Sequence, residues 1–102
     1  MNKIYRNIDI ETTTYNGCIN DIFIFLNRTF PYPPFSYYKV PESSGNILIK
    51  EEYEQTLFLN DGGGLNKKHI ISFKEPGEYI VPITSLSNKG NKEHNIKFII
   101  KE

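Results

Sequence analysis

Along most of this chain apolar residues fall at every second position, the spacing of a strand with one buried face. In Glu78-Tyr79-Ile80-Val81-Pro82-Ile83 the residues Tyr79, Val81 and Ile83 share a face, as do Ile96, Phe98 and Ile100 within Asn95 to Lys101. His69 to Phe73 turns Ile71 and Phe73 inward, and near the start Ile8 and Ile10 alternate with Asp9 and Glu11. Asp21 to Asn27 is denser, with Ile22, Phe23, Ile24, Phe25 and Leu26 in a row, which predicts a central strand covered on both faces. Phe35 to Val40, Ile47 to Lys50 and Thr56 to Leu59 complete the set.

Turn signals separate these runs: Asn16-Gly17, the prolines at 31, 33 and 34, Pro41 to Gly45, Asp61 to Gly64, Glu75-Pro76-Gly77, and Asn88 to Asn91. Short strands at this spacing predict an all-β fold, an antiparallel β-sandwich of about seven to eight strands. Lys50 to Gln55 has helix-favouring residues, but it is short and uncapped, so no helix is expected. Pro82 conflicts with its strand, because proline has no N–H for a ladder and belongs at an edge or a bulge.

Size and charge narrow the function. The 102 residues form a single domain, 1–102, long enough for one core without metal or disulfide support. Twelve Lys and Arg balance twelve Asp and Glu, which removes the basic footprint of a nucleic-acid binder and any pull toward an anionic membrane. No stretch approaches the roughly 20 apolar residues of a membrane span, and MNKIYRNIDIETTTY has no signal-like apolar core. Cys18 is the single cysteine and reads as a small buried apolar residue, since no Cys-His signature accompanies it. The sequon Asn27-Arg28-Thr29 carries little weight by itself.

Candidate chemistry mostly fails on context. His69 and His94 are the only histidines, and neither has a second ligand at metal-binding spacing, so no metal or other cofactor is expected. His69 is read as lining a strand and His94 as sitting near a turn. Gly62-Gly63-Gly64 leads into a strand pattern rather than a helix N-terminus, unlike a phosphate loop. It is either a hairpin tip or a stretch of bare backbone able to pair with another chain. Glu51, Glu52 and Glu54 read as a solvated edge, and Ser36, Ser43 and Ser44 lack a nucleophile motif. The chain is therefore expected to bind rather than catalyse, with no catalytic residue.

One stretch remains: Arg28-Thr29-Phe30-Pro31-Tyr32-Pro33-Pro34-Phe35, stiff, apolar and aromatic. Pro31-Tyr32-Pro33-Pro34 satisfies P-x-x-P, as an SH3-type ligand does. Alternatively its aromatics plug the end of the sandwich, or they form a rigid wedge whose prolines have pre-empted the ordering cost.

The order of these features resembles the chagasin family, immunoglobulin-like inhibitors of papain-type cysteine peptidases. The likeness runs nearly the whole chain: a dense strand, the proline loop leaving through Phe35-Ser36-Tyr37-Tyr38, then Gly62-Gly63-Gly64, the strand His69 to Phe73, Gly77-Glu78-Tyr79-Ile80-Val81-Pro82-Ile83, and Ile96 to Ile100. In that family three loops at one end of the sandwich enter the peptidase cleft. The first reads N-P-T-T-G before an aromatic pair; here Phe30-Pro31-Tyr32-Pro33-Pro34 precedes Phe35 and Tyr37, and only Pro31 matches within the five. The glycine-rich second loop is matched by Gly62, Gly63 and Gly64. The third carries R-P-W or R-P-F, whereas Ser87-Asn88-Lys89-Gly90 has no arginine, proline or aromatic.

The resemblance implies an immunoglobulin-like inhibitor that blocks a papain-like cysteine peptidase. Phe30, Pro31, Tyr32, Pro33, Pro34 and Phe35 would cover the catalytic cysteine, Gly62, Gly63 and Gly64 would pair on the non-primed side, and Ser87, Asn88 and Lys89 would touch the other side. The free protein is then expected to be a monomer, and a secreted or vesicular location fits, although the compartment stays open. The alternative is an immunoglobulin-like adhesion or accessory module that works through sheet faces or edges.

Overall fold

A computed structural model describes residues 4–28, 36–54, 66–87 and 89–102. Among these residues there are eight strands and no helix. In chain order they are β1 (Tyr5–Ile8), β2 (Thr14–Cys18), β3 (Ile22–Arg28), β4 (Ser36–Lys39), β5 (Ile47–Glu54), β6 (Asn66–Phe73), β7 (Gly77–Ser87) and β8 (Gly90–Lys101). They form two four-stranded sheets, β1-β3-β6-β5 and β2-β8-β7-β4. That order is the immunoglobulin arrangement, with an added edge strand, β2, beside the last strand.

The expected sandwich is present, and the inward residues are those the alternation selects. Phe23, Phe25, Ile71 and Phe73 from one sheet meet Val81, Ile83, Ile96, Phe98 and Ile100 from the other. Ile8 is buried with them, while Ile10, Ile47 and Ile49 pack at the margin. Each such side chain contributes roughly 1.5–3 kcal/mol on full burial. Two pairings are parallel, β1 with β3 and β2 with β8. Parallel neighbours need a crossover. The chain supplies one by sending β2 to the opposite sheet between β1 and β3.

Four expectations change. Asn16-Gly17 is not a turn: both residues lie inside β2, and the reversal comes at Cys18 to Asp21, where the Asp21 N–H donates to the Cys18 carbonyl at 2.9 Å. Glycine stands at 17 because a Cβ there would lie 2.8 Å from both the Asp21 Oδ2 and the Phe23 ring. Cys18 is exposed, not buried, because the alternation of β2 turns Tyr15 and Gly17 inward and Cys18 outward. The outer face of β3 is not covered: Ile22 and Ile24 are half-buried and Leu26 is 39% exposed. Lys50 to Glu54 continues β5 as an edge strand, on which Glu51 and Glu52 are exposed as a solvated edge requires. Thr56 to Leu59 lies outside the described residues.

Pro82 fits without a bulge. β4 pairs β7 only from Thr84 to Ser87, so at Pro82 the strand has no partner on the β4 side and is locally an edge.

Candidate functional site at the loop end

The registers define two ends of the sandwich. At one end lie the Cys18–Asp21 turn, the Gly45-Asn46 turn that closes Ser44 onto Ile47, and the Lys74–Pro76 connection. Gly45 takes a φ of 59°, which a two-residue turn of this kind demands. At the other end, Arg28 pairs with Asn66 and Asn66 with Glu54. In the second sheet Ser36 pairs with Ser87 and Ser87 with Gly90. The strand ends that flank segments 29–35, 55–65 and 88–89 therefore stand side by side at one end of the molecule, called the loop end below.

Most of the expected contact residues fall between those strand ends. Phe30, Pro31, Tyr32, Pro33, Pro34 and Phe35, Gly62, Gly63 and Gly64, and Asn88 lie outside the described residues. Ser87 and Lys89 are described and exposed. The Ser87 hydroxyl donates to the Gly90 carbonyl at 3.1 Å and accepts the Lys89 N–H at 3.2 Å, so it shapes its own turn.

Beneath the loop end is a polar network that the sequence reading did not assemble. Asn27 is buried, and its side chain reaches across the sandwich to β4: Nδ2 donates to the Tyr38 carbonyl at 2.7 Å, and Oδ1 accepts the Tyr38 N–H at 3.2 Å. Asn27 thus imitates one rung of a β-ladder and clamps the two sheets together just before Arg28 and Ser36. Nδ2 also lies 3.2 Å from His69 Nε2. His69 is 2% exposed, in phase with Ile71 and Phe73 on the inner face of β6. Among the described residues its Nδ1 has no hydrogen-bond partner; it stands 3.9 Å from Glu51 Oε1, while Glu51 Oε2 pairs with Lys67 at 3.4 Å. Burial lowers the His69 pKa below its ordinary value; Glu51 opposes this and Lys67 adds to it. Period-two counting from Phe23 and Phe25 reaches Asn27, and from Phe73 and Ile71 reaches His69, so the inward placement of both was available from the pattern.

The second sheet is also polar here. The Ser85 hydroxyl donates to the Lys92 carbonyl at 3.3 Å and lies 3.4 Å from His94 Nε2. His94 lies within β8, near the turn that opens this strand, as expected. Among the described residues no three His, Cys, Asp or Glu side chains gather as metal ligands.

No protein-family model matches this chain, and no curated protein is a significant match. Its fold is similar to that of amebosin. The likeness to the solution structure of amebosin covers 99% of this chain and 100% of that one, with a TM-score of 0.64 and 15% sequence identity. At that identity the likeness concerns the fold, and it extends over the whole sandwich, both sheets included.

Proposed function

We propose that this domain is a proteinaceous inhibitor of papain-like cysteine peptidases, of the chagasin type, acting by occlusion and without chemistry of its own. One observation carries the reading: the strand ends flanking 29–35, 55–65 and 88–89 share one end of the sandwich, as three loops entering one cleft require. The likeness to amebosin supports the fold on which this depends. In this reading Phe30 to Phe35 lies over the catalytic cysteine. Its prolines resist cleavage, because a proline nitrogen has no N–H and its φ is fixed. Gly62, Gly63 and Gly64 offer bare backbone for strand-like pairing with the cleft. Ser87, Asn88 and Lys89 add a minor polar contact.

Titrating papain with the domain tests the proposal. Reversible, stoichiometric loss of peptidase activity is expected, and full activity at about micromolar excess, where binding would be worth roughly 8 kcal/mol, overturns inhibition of that enzyme.

A second reading has its own support. The outer face of the β1-β3-β6-β5 sheet carries Ile22, Ile24 and Ile70, all half-buried, beside the more exposed Leu26. An adhesion or accessory module would use such a face. Substituting Ile24 and Leu26 by threonine separates the two readings: partner binding survives if the loops make the contact and is lost if the sheet does.

A further inference from the structure

We infer that His69 is an acid-sensitive latch on the clamp between the two sheets: an imidazolium at this position and the Asn27–Tyr38 clamp exclude one another. Hydrogen-bond polarity sets this exclusion. The Asn27 amide is oriented by the Tyr38 backbone, whose N–H must face Oδ1 and whose carbonyl must face Nδ2. The remaining hydrogen on Nδ2 then points to His69 Nε2, which must accept it. The ring is neutral in that arrangement, with its proton on Nδ1.

A second proton goes to Nε2 and converts it from acceptor to donor. Two donors then face each other at 3.2 Å in a buried site. Rotating the Asn27 amide relieves the conflict, but it sets Nδ2 against the Tyr38 N–H and Oδ1 against the Tyr38 carbonyl. One proton thus costs both hydrogen bonds between Asn27 and Tyr38.

The charged groups around the ring set the balance. Glu51 of β5, 3.9 Å from Nδ1, favours the imidazolium, while Lys67 of β6 disfavours it. Asn27 and Phe25 of β3 contribute no charge, and β4 presents Tyr38, whose ring stands edge-on to Phe25 at 5.3 Å. Burial keeps the ring neutral near neutral pH, so the latch is closed there and opens on acidification. The clamp lies next to Arg28 and Ser36, so release loosens the divergence of β3 and β4 at the loop end. This inference is independent of the inhibitory reading, and its test uses no peptidase.

The test is an NMR pH titration of the full chain from about pH 7.5 to about pH 4.5, spanning the ordinary histidine range. It follows the His69 ring, the Asn27 side-chain amide and the hydrogen-exchange protection of the Tyr38 N–H. All three should change with one midpoint, and Tyr38 protection should fall about tenfold or more as its hydrogen bond is released. In His69→Gln, whose side-chain oxygen still accepts from Asn27, Tyr38 protection should stay level over the same range, and His94→Gln should leave the transition in place. The latch is overturned if His69 titrates without moving Tyr38, if His69 never titrates, or if the transition persists in His69→Gln. Should His69→Gln fail to fold, the shared or separate midpoints of the unmodified chain decide the matter.

Discussion

Toward the turn end, Phe23, Phe73 and Phe98 interlock with Tyr15 and Tyr79, the Phe23 and Phe98 rings meeting edge-on at 4.9 Å and Phe73 stacking on Tyr79 at 4.8 Å. Toward the loop end, the same inward positions pass to Asn27 and His69 in one sheet and to Ser85 and His94 in the other. The two halves have the same strands and the same alternation, yet one is packed around aromatic rings, with the buried Asp21 held by its own turn, and the other is organised by a polar network across the sandwich. Aromatic packing is stabilising over a broad range of conditions. A buried polar network holds its geometry only while every donor has an acceptor. The half nearer the proposed contact surface is therefore the one whose packing depends on protonation state.

This contrast can be broken by substitution. Phe98→Ala should have the largest effect, a loss of about 3–5 kcal/mol in chemical denaturation, because it empties the centre of the aromatic cluster. A loss no greater than that of a surface change would mean that the turn end does not dominate. Gly17→Ala forces a methyl against Phe23 and Asp21 and should cost about 3 kcal/mol, read from the same unfolding curves. Asn27→Ala removes the clamp and should cost about 2 kcal/mol. If it matched Phe98→Ala, the division between the halves would fail.

Acid sharpens the comparison further. The His69 pKa is depressed by burial in the folded protein, so the unfolded chain binds the proton first as pH falls. Its contribution is complete above about pH 6.5, declines as pH drops from there toward the folded pKa, and flattens below it. Denaturation midpoints of the unmodified chain and of His69→Gln should diverge over that window, with the histidine form losing more. Smallest on the folding scale is Tyr32→Ala, expected within about 0.5 kcal/mol of the unmodified stability. The same substitution should weaken peptidase inhibition by roughly 1–3 kcal/mol if Tyr32 is a buried anchor. An unchanged inhibition constant would remove Tyr32 from the contact.

Much of the core was legible because period two is a local signal. Ile71, Val81, Ile83, Ile96 and Phe98 follow from counting alone, and all are buried, whereas the unbroken apolar run of β3 did not show which face holds Phe23. What depended on distant neighbours was not legible. Asn16-Gly17 has turn chemistry, yet Gly17 is required by Phe23 and Asp21 packing over it. Cys18 is exposed because the register of β2 turns it outward, a fact about its strand rather than its type. The parallel pairings arise from the order in which the chain visits the two sheets. For the candidate site, the proline, glycine and Ser87 segments are conspicuous in the sequence, but only strand register brings their flanks to one end. The Asn27–His69 pair, 42 positions apart, belongs to no motif.

The first described strand begins at Tyr5 opposite Ile22, and the last ends at Lys101 opposite Cys18, so both run out at the turn end. This is an attachment geometry. A tag or support joined just before Tyr5 or just after Lys101 therefore attaches at the turn end, opposite the strand ends that flank 29–35, 55–65 and 88–89.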